Sequence, residues 1–185
     1  LLAVGRLVAR KGYMTLLRGM PKILNKNPDA KLVIIGRGHM KKSLLKESSK
    51  LGISDSVFIK SSLSFSELAQ HFRSADLVIY PSYYEGQGLI PLESLASGTP
   101  VATVDQEPLT EMIDESVGGL FPRGNPQELA RCVNQMLSSE KTPEKAVLGR
   151  ERVLSKFTYE HNAADYERIF NSCLLYTSDA ADDDH

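Results

Sequence analysis

The chain is 185 residues long, 42% hydrophobic and formally −1 at neutral pH. That length suits one domain with a substantial core, and a near-neutral balance without any basic block excludes a typical nucleic-acid binder. Two cysteines, Cys132 and Cys173, lie far apart without His or Cys neighbours, which excludes a zinc motif or a disulfide framework and makes cytoplasmic chemistry the expectation.

The chain opens directly in an apolar strand, Leu1–Val4, with no Met before it, so residues upstream are expected. No signal peptide is visible, and no apolar run is long enough to span a bilayer. Further strands are predicted at Leu32–Ile35, Val57–Ile59, Leu77–Tyr80, Val101–Val104 and Gly119–Phe121. Between them, Met14, Leu17, Met20 and Leu24 recur at helical spacing. Leu44, Leu45, Ser48 and Leu51 do the same, as do Leu68, Ala69 and Phe72. After Gly124 the pattern is helical throughout, with helices expected over Pro126–Ser138, Pro143–Ser155 and Tyr159–Ser172. Alternating strands and helices with near-continuous apolar strands predict an α/β fold: a Rossmann-like parallel sheet with helices on both faces, closed by C-terminal helices. From Cys173 the composition changes abruptly and ends in Asp182, Asp183 and Asp184. Residues 173–185 are therefore expected to be a non-native tail, leaving a domain over 1–172.

In such sheets ligands gather at the carboxyl ends of the strands. The loop after the first strand, VGRLVARKG, carries Gly5, Arg6, Lys11 and Gly12. An Arg fork and a Lys point charge suit the several oxygens of a diphosphate, although loop cations are more commonly just solvated. After the second strand, IIGRGHM holds Gly36 and Gly38 as a lone Gly-x-Gly. Lys41 stands where a dinucleotide fingerprint wants its third glycine, so the conservative expectation is a tight turn allowing close backbone approach. Ser61 and Ser62 follow the third strand, near the cleft this topology predicts, and Ser66 is the expected N-cap of the next helix. Glu111, after Glu107 and Pro108, suits a helix start better than catalysis. His39, His71 and His161 form no nucleophile–base or metal-ligand spacing.

The most informative stretch is YPSYYEGQGLIPLESLASGTP, Tyr80 to Pro100. Pro81 stops a strand, Gly86 and Gly88 break the loop, and Pro91 suits a first helical turn. Gly98 and Pro100 then end the helix. A helix N-terminus opening from a glycine loop is a ready anion site, and two carboxylates bracket it: Glu85 before and Glu93 one turn inside. The arrangement suits a ligand carrying phosphates and hydroxyls together, such as a nucleotide sugar. Solvated loops and helix carboxylates of this kind are also common in α/β proteins.

Taken together, VGRLVARKG, LVIIGRG, LSFSELAQHFRSADLVIYPSYYEGQGL, PLESLASGTPVA and GGLFPRGNPQELA resemble the donor-binding half of the group 1 family of retaining glycosyltransferases. The likeness spans nearly all of residues 1–172 and implies one half of a GT-B fold. It implies that Arg6 and Lys11 hold the donor diphosphate, that Glu93 takes the ribose hydroxyls, and that Glu85 sits against the transferred sugar as nucleophile or electrostatic support. Gly88 and Leu89 match the loop and helix start facing the phosphates, with Gly36 and Gly38 in the neighbouring turn. The implied donor is a UDP-, GDP- or ADP-sugar, used without a metal. The implied acceptor is a glycan or lipid-linked glycan, bound by an N-terminal domain that this chain does not contain, and any contact with the inner face of a membrane would come through such missing parts. Gln87, Ser61 and VDQEP depart from the family pattern and bear on which donor is used. Two other functions remain open at this level: a non-catalytic nucleotide-binding module, and a GT-B-fold epimerase or phosphorylase. A dehydrogenase fits worst, because its glycine fingerprint is incomplete.

Overall fold

The structure is a computed structural model and describes residues 1–61 and 63–179. Ser62 and the terminal Asp182, Asp183 and Asp184 lie outside the described residues. The elements run β1 (Leu2–Val4), α1 (Tyr13–Lys26), β2 (Leu32–Ile35), α2 (Lys41–Lys50), β3 (Val57–Lys60), α3 (Phe65–Ser74) and β4 (Val78–Tyr80). They continue with α4 (Leu89–Ala96), β5 (Val101–Val104), the single turn α5 (Leu109–Met112), β6 (Gly118–Phe121), α6 (Pro126–Ser138), α7 (Thr142–Lys156) and α8 (Tyr159–Asp179).

All strand pairs are parallel, in the order β3-β2-β1-β4-β5-β6. Parallel strands need crossover helices, so both faces are covered and the strands read as unbroken apolar runs. Ala3, Ile34, Val78, Ile79, Val101, Ala102 and Val104 are buried in the middle of this layer. Helix α1 packs against α2 and α6, whereas α4 packs against α3 and α7. From β1 the chain steps outward through β2 to β3; from β4 it steps the opposite way. The order therefore reverses between β1 and β4, the position at whose carboxyl ends open parallel sheets place a ligand crevice.

Helix boundaries follow local chemistry. In α3 the N-cap is Ser64, correcting the expectation for Ser66: the Ser64 hydroxyl accepts from the Glu67 backbone N–H, and the Glu67 carboxylate takes the Ser64 N–H at 2.8 Å. This reciprocal capping box starts the helix two residues earlier than expected. Helix α4 begins after Gly88 and stops at Ser97, with Gly98 in the left-handed region. Helix α8 runs past Ser172 to Asp179, a stretch with no glycine or proline to stop it. It exposes Tyr159, Tyr166, Ile169 and Phe170. Among the described residues, no helix is long and apolar enough to cross a membrane.

Two close approaches fix the loops around the crevice. Gly12 follows a 3-10 turn, Ala9–Lys11, and caps α1 with φ 68°. A Cβ there would lie 1.9 Å from the Pro81 carbonyl oxygen, so only glycine lets the turn after β1 seat on the segment after β4. The Tyr83 N–H then donates to the Arg10 carbonyl at 2.7 Å. On the other side, a Cβ at Gly36 would lie 1.9 Å from the Gly5 carbonyl oxygen, and the Leu7 N–H donates to the Arg37 carbonyl at 2.8 Å. Buried beneath Gly5 is Tyr13, whose hydroxyl has no partner among the described residues.

Gly12→Ala is expected to destabilise the chain by at least about 2 kcal/mol, combining left-handed strain of roughly 1–2 kcal/mol with overpacking of about 1–3 kcal/mol. Denaturant unfolding checks it; an unchanged midpoint would mean that the two loops do not depend on this contact. Tyr13→Phe removes a buried hydroxyl without a partner and is expected to be neutral or stabilising by about 1 kcal/mol. A lowered thermal midpoint would be the contrary result.

Candidate functional site

The site is built where the turn after β1 meets the loop after β4. Lys11, at the end of the 3-10 turn, forms an ion pair with Glu85 in that loop. Their side chains are only 11% and 12% exposed, so the pair is largely removed from water. The Lys11 ammonium also donates to the Tyr80 hydroxyl at 2.9 Å and lies 5.0 Å from the centre of the Tyr80 ring. Tyr80 is the last residue of β4, and Ser82, two residues on, donates its hydroxyl to the same Glu85 oxygen.

The surroundings set the protonation of this group. Burial pushes the Glu85 carboxyl up, but hydrogen bonds from Lys11, Ser82 and Tyr80, with the Lys11 charge, outweigh it and hold the carboxyl below its ordinary value. Tyr80 is pushed the other way, by burial first and then by its hydrogen bond to the Glu85 anion. Burial and the same anion raise Tyr13. The cluster thus holds an ionised carboxylate, an ammonium and two neutral phenols.

The loop itself is braced from both sides. Thr15 and Tyr83 share a hydrogen bond at 2.5 Å between their hydroxyls. Gln106, after β5, donates its amide to the Tyr83 carbonyl at 3.1 Å. Gly88 takes a left-handed conformation as N-cap of α4, packed against Leu109 of α5. The first N–H groups of α4, from Leu89 onward, therefore emerge beside Glu85 at the crevice.

Arg6 and Glu93 belong to the same edge but not to the same contact. Arg6 lies in the turn after β1, and Glu93 lies one turn into α4; both are exposed. Among the described residues, neither side chain makes a hydrogen bond or ion pair. Burial by neighbours raises the Glu93 carboxyl, with no cation set against it. Gly36 and Gly38 occupy the turn after β2, where a Cβ would meet the Gly5 and Leu7 carbonyl oxygens at 1.9 and 2.3 Å. Their close backbone approach is to the turn that carries Arg6. Ser61 follows β3 at the edge of the sheet, with β2 between it and β1. Sequence reasoning missed Tyr13, Tyr80 and Ser82; the available signal was the position of Tyr80 and Ser82, at and just after the end of a strand bordering the reversal in strand order.

The model of the glycosyl transferases group 1 family matches residues 1–148. An uncharacterized glycosyltransferase of Methanocaldococcus jannaschii is 35% identical over 177 residues, covering 94% of this chain and 45% of that protein. Indeed, the chain spans less than half the length of the curated relatives it matches. The C-terminal domain of a group 1 family glycosyl transferase from Francisella tularensis superposes with a TM-score of 0.77 at 25% identity, over 85% of this chain and 86% of that one. Anabaena HepE, crystallised with UDP and glucose, gives a TM-score of 0.81 at 21% identity, over 92% of this chain and 48% of that one. The parallel sheet with its crevice between β1 and β4 and the match over residues 1–148 agree, and the chain belongs to the group 1 family of glycosyl transferases.

Proposed function

We propose that this chain is the donor-binding half of a retaining glycosyltransferase, which moves a sugar from a nucleotide sugar to an acceptor held by another part of the protein. The observation that carries this reading is the meeting of Lys11 and Glu85 across the crevice, directly beside the N-terminus of α4. A nucleoside diphosphate sugar presents a diphosphate, a ribose and a hexose within a short span, and this edge offers matching groups in the same span. Lys11, Arg6 and the α4 N–H groups take the diphosphate. Glu93, an unpaired carboxylate, accepts hydrogen bonds from the ribose hydroxyls. Glu85 faces the sugar.

In the transfer step the bond between the sugar's anomeric carbon and the diphosphate oxygen breaks, with its electron pair leaving on the diphosphate. The acceptor hydroxyl oxygen bonds to the anomeric carbon, and its proton passes to the departing diphosphate. Negative charge grows on the leaving oxygen while positive charge grows on the sugar ring. Fixed cations and helix N–H groups stabilise the first; the Glu85 anion stabilises the second. A single preorganised donor of this kind is typically worth about 3–4 kcal/mol in a transition state. Gly36 and Gly38 serve the site indirectly, by letting the turn after β2 nest against the backbone around Arg6. HepE, whose fold this chain shares, was crystallised with UDP and glucose, which supports a nucleotide-sugar donor for this reading. The acceptor, a glycan or lipid-linked glycan, belongs to an N-terminal domain, which fits a chain spanning less than half of its relatives. By itself the chain binds the nucleotide and transfers no sugar.

Calorimetric titration with UDP, GDP and ADP tests this directly. At least one is expected to bind, and Arg6→Ala and Glu93→Gln are each expected to weaken it roughly ten- to a hundredfold, the range for lost charge-assisted hydrogen bonds. If the nucleotide binds equally well to both variants, the assignment of these residues fails.

A further inference from the structure

We propose that Tyr80 is a positioning residue of this site, whose hydroxyl accepts from the Lys11 ammonium beside Glu85 and so aims the one remaining ammonium N–H into the crevice. The inference rests on the donor-site reading above and goes beyond it, because Tyr80 touches neither the phosphate nor the sugar.

Proton counting carries it. A lysine ammonium has three N–H donors on a group that otherwise rotates freely. In this structure one points to Glu85 and one to the Tyr80 hydroxyl. With two donors committed to acceptors on different segments, rotation stops and the third has a single direction. That third donor has no partner among the described residues. The Tyr80 oxygen accepts from Lys11, and burial followed by the nearby Glu85 anion keeps its phenol neutral. The Ser82 hydroxyl reaches Glu85 and, at 3.2 Å, the Arg10 carbonyl. Of the three ammonium protons, only the third is thus left for a phosphate oxygen.

The same contact matters for Glu85. An incoming diphosphate competes with Glu85 for the ammonium, and a carboxylate held only by Lys11 would follow it or take up a proton. Ser82 holds the carboxylate from its own loop while Tyr80 keeps the ammonium directed, which leaves Glu85 in place. The groups facing Glu85 are Lys11 from the turn after β1, Tyr13 from the first turn of α1, Tyr80 from β4, and Ser82 from its own loop. Arg10 adds a favourable charge toward Tyr80. Tyr80 is 3% exposed, so solvent does not substitute for its hydroxyl.

Tyr80→Phe keeps the ring and removes the contact. UDP, GDP and ADP binding is measured by calorimetry on this chain, and the Glu85 side-chain carboxyl is titrated by NMR without ligand. The tightest-binding nucleotide is expected to bind roughly three- to tenfold more weakly to Tyr80→Phe, the range for one lost hydrogen bond. In a Lys11→Ala background the same change is expected to have no further effect, since there is no ammonium left to aim. The Glu85 midpoint, below its ordinary value in the unaltered chain, is expected to rise in Tyr80→Phe. Equal loss in both backgrounds would mark Tyr80 as merely structural and overturn the proposal, as would an unmoved Glu85 midpoint. If none of the three nucleotides binds the unaltered chain, the donor-site reading fails separately, and the ligand-free Glu85 titration still decides the role of Tyr80. A Glu85 midpoint at or above the ordinary range in the unaltered chain would overturn it without any variant.

Discussion

The contact between Lys11 and Glu85 joins the two halves of the sheet at the point where strand order reverses. One partner hangs from β1, the other from the loop after β4, and both are almost withdrawn from water. Such a pair is poor evidence of stability, because desolvating two charges costs about as much as their attraction returns. At 4 Å and an effective dielectric of 20, that attraction is about 4 kcal/mol. Apolar side chains of similar size would close the same gap without the desolvation cost. What an ion pair offers there, and a leucine does not, is a fixed pair of opposite charges waiting at the mouth of a crevice.

The rest of the fold makes that apposition possible. Parallel strands put all the strand-to-helix loops on one edge, and the order β3-β2-β1-β4-β5-β6 leaves only the loops of β1 and β4 diverging from each other. Without further contacts they would splay. Gly12 closes the gap by admitting the Pro81 carbonyl where any side chain would collide, and Thr15 and Gln106 hold Tyr83 from α1 and from the segment after β5. The loop carrying Glu85 is thus fastened to three elements before any ligand arrives. Preorganised charge of this kind needs no rearrangement when charge develops on a substrate.

Much of this was readable in the residues. All six strands fall within a residue of their apolar runs, because a parallel strand buried on both faces leaves an uninterrupted apolar signature. The glycine and proline punctuation of α4 was readable for the same kind of reason: Gly88, Pro91 and Gly98 each serve one backbone geometry. What escaped is chemistry that depends on distance between segments far apart in the chain. Nothing in the order of residues says that the Tyr80 hydroxyl accepts from Lys11, since 69 residues separate the two. The roles of Gly36 and Gly38 escaped likewise: the close approach was legible, its partner was not. The cap of α3 is different. Ser64 and Glu67 stand at capping-box spacing, and the neighbouring Ser66 drew attention from a signal that was present.

Arg6 and Glu93 complete the physical picture by contrast. Both lie exposed, so each keeps most of its hydration until a ligand displaces it, and on the donor-site reading their contribution to binding is discounted by that displacement. Lys11 and Glu85 have already lost their water on folding, which shifts that desolvation from binding to the stability of the chain. A site divided in this way separates two tasks. On the donor-site reading, the exposed groups select the nucleotide, since a mismatched ligand strips their water without replacing it, and the buried groups handle charge once the ligand is in place. Glu93 illustrates the first task, with its carboxyl already partly desolvated and no cation opposite. Hydroxyl donors satisfy such a group without adding charge, whereas a phosphate placed there would meet repulsion. On the donor-site reading, a nucleotide lies with its phosphates toward Lys11 and Arg6 and its ribose toward Glu93, the carboxylate that no cation in the fold opposes.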